Sequence, residues 1–129
     1  MRVYWASKLV HADRLKREQQ QSYFQGIEFT SSWTGIVNAV EDSPANAKAF
    51  WNRNLRDIME AEFCVVYAEG DDKLRGALFE AGFAMAQGKP VITIGEHQDY
   101  GTWQWLGYVY RANDFRHAAW MIKHMAGGR

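Results

Sequence analysis

Short apolar runs alternate along this chain with longer amphipathic segments, and that alternation is the strongest constraint on its fold. "RVYWA" (2–6), "GIEFTSSW" (26–33), "FCVVYA" (63–68), "PVITIG" (90–95) and "GYVYRA" (107–112) read as strands. Between the first two, "HADRLKREQQQSYFQ" has a charged face and gives a first helix. "SPANAKAFWNRNLRDIMEA" opens with Ser43 before Pro44, a serine cap followed by a proline at the first helical position. "DKLRGALFEAGFAMAQGK", closed by Gly88 and Pro90, is the third helix, and "DFRHAAWMIKHMA" from Asp114 is the fourth. Strands and helices in this order predict βαβ units and one five-stranded parallel sheet.

The chain has 129 residues, 47% of them hydrophobic, which suits one domain over 1–129. Fifteen basic residues balance fifteen acidic ones, so there is no broad positive field for polymeric nucleic acid, and a small ligand is expected instead. The single cysteine, Cys64, lies inside "FCVVY"; it allows no disulfide within the chain and points to a reducing compartment, the cytoplasm. The N-terminus enters "RVYWAS" without a charged leader, and no window reaches the roughly 18 apolar residues of a membrane span, so neither export nor a membrane partner is expected. The segments "TGIVNAVEDS" (34–43) and "EHQDYGTWQW" (96–105) are loops long enough to cover a site.

In an open parallel sheet, ligands bind outside the carboxyl ends of the strands. Those ends are rich in polar side chains here: Ala6, Ser7 and Lys8 after the first strand, with Tyr4 inside it; Ser31, Ser32 and Trp33 after the second; Glu69, Gly70, Asp71 and Asp72 after the third; Gly95, Glu96 and His97 after the fourth. Glu80 lies early in the third helix, on a line with Gly76 and Ala84, and a helical side chain leans toward the helix N-terminus, so its carboxylate can reach the same edge. Gly76, one turn before it, removes a side chain that would cover it. A fixed, partly dry carboxylate can attack an anomeric carbon or act as a general base. Asp57, Asp71 and Asp72 are candidates for a second acid. Taken alone, Glu80 also reads as a solvent-facing helix residue, Asp57 as a partner of Arg53 at i−4, Tyr4 as core, and Trp33 and Trp103 as core or interface aromatics. The four histidines, His11, His97, His117 and His124, lack metal-ligand spacing, and no Gly-rich nucleotide fingerprint occurs, so neither a metal nor a cofactor is expected.

"RVYWAS", "NRNLRDIMEAEFCVVYAEGDD" and "LRGALFEAGFAMAQGKPVITIG", followed by the aromatic loop "DYGTWQW", resemble the nucleoside 2-deoxyribosyltransferase family and its relatives, the 2'-deoxynucleoside 5'-monophosphate N-glycosidases. The resemblance implies that Glu80 attacks C1' of a (deoxy)ribosyl group, that Tyr4 orients it by a hydrogen bond, and that Ser7, Trp33 and Gly76 line the sugar and base pocket. Asp57 is the candidate acid, and Ala6, Ser32, Asn54, Asp72, Arg75 and Trp103 complete the expected substrate-binding set; Ser7, Ser32 and Arg75 are available to a phosphate. The resemblance also implies a homodimer or larger homo-oligomer in which a neighbour closes the pocket. Two positions depart from the transferases: Asn54 stands where they carry a carboxylate that approaches the base, and Leu74 where they carry an aspartate six residues before the nucleophile. Hydrolysis is therefore favoured over base exchange. The expectation is a flavodoxin-like (Rossmann-like) three-layer α/β sandwich that cleaves or exchanges the N-glycosidic bond of a nucleoside or nucleotide. The alternatives are a non-catalytic nucleotide-binding module and a TIR-like NAD glycohydrolase.

Overall fold

The computed structural model of the chain describes residues 1–35 and 43–127. Five strands, β1 (Arg2–Ala6), β2 (Glu28–Phe29), β3 (Phe63–Tyr67), β4 (Val91–Ile94) and β5 (Val109–Ala112), form one parallel sheet in the order β2-β1-β3-β4-β5. The α-helices are α1 (Ala12–Gln19), α2 (Pro44–Glu60), α3 (Gly76–Ala86) and α4 (Phe115–Gly127). This is the flavodoxin-like order. No described helix is long and apolar enough to cross a membrane.

Burial explains the order. All five residues of β3 and all four of β4 are buried, as continuous apolar runs must be when helices cover both faces of a parallel sheet. Strand β5 buries only Val109 and Ala112, and β2 has two residues; both are edges. Within β1, Tyr4 hydrogen-bonds Glu80 of α3, whereas Trp5 donates its Nε1–H to Gln19 of α1 and packs its ring edge against Phe115 of α4. Successive strand side chains point to opposite faces, so α3 and its neighbour α2 cover one face and α1 and α4 the other.

Local chemistry sets the helix ends. Ser43 Oγ accepts from Asn46 N at 3.2 Å with Pro44 following, the cap expected from the sequence. Gly88, at φ +74°, lets the chain turn off α3, and Lys89 N then donates to Ala84 O at 3.1 Å. Lys89 Nζ reaches the C-terminal end of α2 and donates to the carbonyls of Ile58, Met59 and Ala61.

Three elements are shorter than the sequence pattern predicts. Strand β2 stops at Phe29 rather than running through 26–33, because Ser31 Oγ takes the Trp5 N–H at 3.2 Å and Asp57 Oδ2 takes the Ser32 N–H at 3.1 Å, where a longer strand would continue its ladder. The segment 11–25 breaks into α1 and a 3-10 turn at Ser22–Phe24. Helix α3 begins at Gly76 rather than near Asp72, because Leu74 N is held by Asp99 Oδ2 at 2.7 Å. The loop 96–105 contains two 3-10 turns, and most of the loop 34–43 lies outside the described residues. The chain leaves β1 to make β2 on one side and later returns to place β3 on the other, so a crevice opens between the carboxyl ends of β1 and β3.

Candidate active site

A cavity of about 450 Å³ occupies that crevice. The turn after β1 (Ser7, Lys8, Leu9, Val10) forms one wall, α2 (Phe50, Trp51, Asn54) a second, and the approach to α3 (Lys73, Arg75, Gly76, Ala77) a third. Trp33 and Glu80 complete the lining.

Glu80 lies one turn into α3 and is only 4% exposed. Its Oε2 accepts a hydrogen bond from Tyr4 Oη, which β1, buried from Val3 to Ala6, fixes at the middle of the sheet. The Asn54 amide of α2 also hydrogen-bonds the Glu80 carboxyl. Burial outweighs those two bonds: it raises the Glu80 pKa, the bonds from Tyr4 and Asn54 lower it and the charge of Asp57 adds to the rise, so that the carboxyl is pushed up to about 8. Burial, and then the neighbouring Glu80 carboxylate, push the Tyr4 phenol up as well, so Tyr4 stays protonated and remains a donor. Asn54 is 2% exposed, and its Oδ1 has no partner among the described residues.

The rest of the lining is aromatic and basic. Trp33 is nearly fully buried and pinned by an Nε1–H bond to Trp5 O at 2.8 Å. Ser7 Oγ donates to Tyr67 O at 2.7 Å, which leaves its oxygen able to accept. Lys8, Lys73 and Arg75 make no ion pair among the described residues. Gly76 has a different reason from the one expected: a Cβ there would stand 2.8 Å from Trp51 Cη2 and 3.1 Å from Cζ2, so the missing side chain makes room for an indole.

Of the residues singled out in the sequence, the fold brings Glu80, Ser7, Trp33, Asn54, Arg75 and Gly76 to the cavity, with Tyr4 behind Glu80. It does not bring the others. Ala6 is fully buried, in register with Val66 of β3. The Asp57 carboxylate takes the N–H and Oγ–H of Ser32, at 3.1 and 2.6 Å, so each occupies the other. Asp72 takes the His11 Nε2–H at 2.6 Å and the Glu69 N–H at 3.0 Å; these bonds hold its pKa below the usual carboxylate range against the opposing effect of burial. Trp103 lies on the loop before β5 and packs edge-on to Tyr100. Sequence reasoning missed Phe50 and Trp51, although both were accessible to it: they precede Asn54 by four and three residues and so share its helix face. Lys8, Leu9, Val10 and Lys73 carried no signal beyond following a strand. Among the described residues no group of three or more histidine, cysteine, aspartate or glutamate side chains could hold a metal ion.

No protein-family model matches the chain, and no curated protein matches it in sequence. Solved structures do. A 2-deoxyribosyltransferase from the psychrotolerant bacterium Bacillus psychrosaccharolyticus superposes with a TM-score of 0.69 at 19% identity, over 92% of this chain and 90% of that one. The chain has the fold of a 2-deoxyribosyltransferase. A conserved protein from Enterococcus faecalis matches with a TM-score of 0.66 at 14% identity, over 97% and 98% of the two chains. The CMP N-glycosidase BcmB of Clostridium botulinum matches with a TM-score of 0.55 at 18% identity, over 96% and 99%. The likeness of fold and the resemblance carried by the sequence motifs thus point to the same group of proteins.

Proposed function

We propose that this chain cleaves the N-glycosidic bond of a nucleoside 5'-monophosphate, with Glu80 as nucleophile. The observation that carries the reading is Glu80, held from behind by Tyr4, lining a cavity of nucleotide size at the switch point of the sheet. In this reading one Glu80 oxygen bonds to C1', and the base leaves with the electron pair of the N-glycosidic bond and takes a proton from water or a neighbouring acid. Water then adds to C1', the ester breaks, and the Glu80 carboxylate is restored with overall retention. A desolvated carboxylate favours the positive charge that develops on the sugar, and the Tyr4 hydrogen bond fixes which oxygen attacks. Trp33, Phe50 and Trp51 supply aromatic surface for the base.

Lys8, Lys73 and Arg75, which make no ion pair among the described residues, favour a phosphorylated substrate over a neutral nucleoside, and they stand beside the start of α3, which no described side chain caps and whose first backbone N–H groups suit an anion. Asn54 and Leu74, in place of the acids of the transferases, favour water over a second base as the acceptor. We also propose a homodimer or larger oligomer in which a neighbour completes the pocket. Light scattering coupled to size exclusion tests that part, and a mass of one 129-residue chain would refute it.

The deciding experiment incubates the protein with each nucleoside, deoxynucleoside and 5'-monophosphate, with and without a free acceptor base, and follows base release by chromatography with Glu80→Ala as control. Base released from a monophosphate without acceptor, and absent in the variant, is the expected result. Release by the variant at the wild-type rate would overturn the role of Glu80. A nucleotide-binding module without turnover is the second reading; what favours it is the proton that Glu80 keeps up to about pH 8. Tight binding of a monophosphate without base release at any pH would select it.

A further inference from the structure

The loop between β3 and α3 carries Lys73 and Arg75 to the cavity, yet neither side chain makes an ion pair among the described residues that would fix its place. What is tied is the loop itself. Asp72, one residue before Lys73, binds His11 Nε2 at 2.6 Å, and both side chains are shielded, 13% and 10% exposed. His11 ends the 3-10 turn Leu9–His11 after β1, whose Leu9 and Val10 line the opposite wall, and its backbone N–H closes that turn onto Lys8 O at 3.0 Å. Asp72 in turn receives the Glu69 N–H at 3.0 Å and gives its own N–H to Glu69 O at 3.2 Å, which folds the loop back on itself. The far side of the loop is fixed independently, by Asp99 Oδ2 on Leu74 N at 2.7 Å and by His97 Nε2 on Gly70 O at 3.0 Å. His11 and Asp72, 61 residues apart, thus form a direct link between the two walls that carry Lys8 on one side and Lys73 and Arg75 on the other.

We propose that His11 is a positioning residue: through Asp72 it sets the spacing of the three cations and thereby the affinity for the substrate's anionic group. This rests on the reading of the cavity as a nucleotide site. His11 does not approach Glu80 in this scheme, so its loss acts on binding rather than on the chemical step. His11→Ala is expected to raise KM for the 5'-monophosphate about tenfold, the order expected for a lost hydrogen bond to a charged group, with kcat changed less than about threefold. KM for the matching neutral nucleoside should hardly move. Glutamine places an amide N–H where the imidazole Nε2–H stood, so His11→Gln should restore most of the affinity.

The test measures kcat and KM of the whole protein for one nucleoside and its 5'-monophosphate in wild type, His11→Ala, His11→Gln and Asp72→Ala, and measures binding of the same monophosphate by calorimetry. Equal effects of His11→Ala on nucleoside and monophosphate, a loss confined to kcat, or failure of glutamine to rescue would overturn the proposal, as would wild-type protein that binds no monophosphate. If nothing is turned over but His11→Ala weakens monophosphate binding about tenfold and glutamine restores it, the proposed reaction fails and the role of His11 stands. Thermal melts of each variant exclude unfolding as the cause.

Discussion

Glu80→Gln should leave stability nearly unchanged at pH 5 and raise it markedly at pH 8. The carboxyl of Glu80 titrates at about 8 in the folded protein against an ordinary 4.5, with burial as the leading cause. Between those two values the unfolded chain has released a proton that the folded chain retains. Stability from this group is therefore fully present below about pH 4.5 and falls by about 1.4 kcal/mol per pH unit until the folded group ionises near 8. Glutamine has the same shape and no titration. Its amide oxygen can accept from Tyr4 Oη, and its amide nitrogen has Asn54, whose Oδ1 is unpartnered, as an acceptor. The difference in unfolding free energy, variant minus wild type, should grow by about 3 kcal/mol from pH 5 to pH 8. Urea denaturation at each pH unit, followed by tryptophan fluorescence, measures it, and any fixed cost of the substitution cancels in the slope. An offset that stays constant over pH 5 to 8 would mean that Glu80 is ionised in the folded protein throughout. The picture of a desolvated carboxyl would then be wrong.

The same titration should govern turnover. With Glu80 as the proposed nucleophile, active only when ionised, kcat/KM should rise with pH toward a plateau above about 8. Tyr4→Phe removes a bond that pulls the Glu80 pKa down and should move that rise further alkaline; an unmoved profile would deny the coupling. Gly76→Ala forces the Trp51 indole to shift, and overpacking costs about 1–3 kcal/mol, so urea denaturation should show a loss of stability and KM should rise. In a Trp51→Ala background the same change should be neutral or stabilising, because the alanine then meets open space; equal effects in both backgrounds would refute the contact. Asp57→Asn keeps an acceptor for Ser32 and should lower kcat by no more than about tenfold, whereas loss of Glu80, the proposed nucleophile, should cost on the order of a thousandfold or more. A loss in Asp57→Asn as large as that in Glu80→Ala would identify Asp57 as the acid despite its bonds to Ser32.

The sheet was legible because its signals are local. "FCVVY" and "PVITI" are almost continuously apolar, with Thr93 the one exception, as a strand buried on both faces requires; Ser43–Pro44 and Gly88 mark helix ends within a few residues of where they occur. Lengths were legible only where no side chain from elsewhere intervenes. Nothing in "GIEFTSSW" shows that Ser31 will accept from Trp5 or that Asp57, 25 residues away from Ser32, will take its N–H, yet those bonds end β2. The start of α3 was misplaced for the same reason, since Asp99 claims the Leu74 amide from 25 residues downstream.

The same distinction separates the acids. In the sequence Glu80 is the candidate nucleophile and Asp57, Asp71 and Asp72 are candidates for the second acid, each near the carboxyl end of a strand or on a helix. The fold distinguishes them by their donors. Asp57 is held by a backbone amide and a hydroxyl that belong to a strand end, and Asp72 by an imidazole and a backbone amide that belong to loops; both sets compensate a full negative charge and fix a segment of chain. Glu80 has one phenol and one amide, both neutral, and little water, and it alone of the four lines the cavity. A carboxylate so sparsely compensated is unstable as an anion and gains most from a positive charge brought to it. An oxocarbenium-like sugar, as in the proposed reaction, would supply that charge.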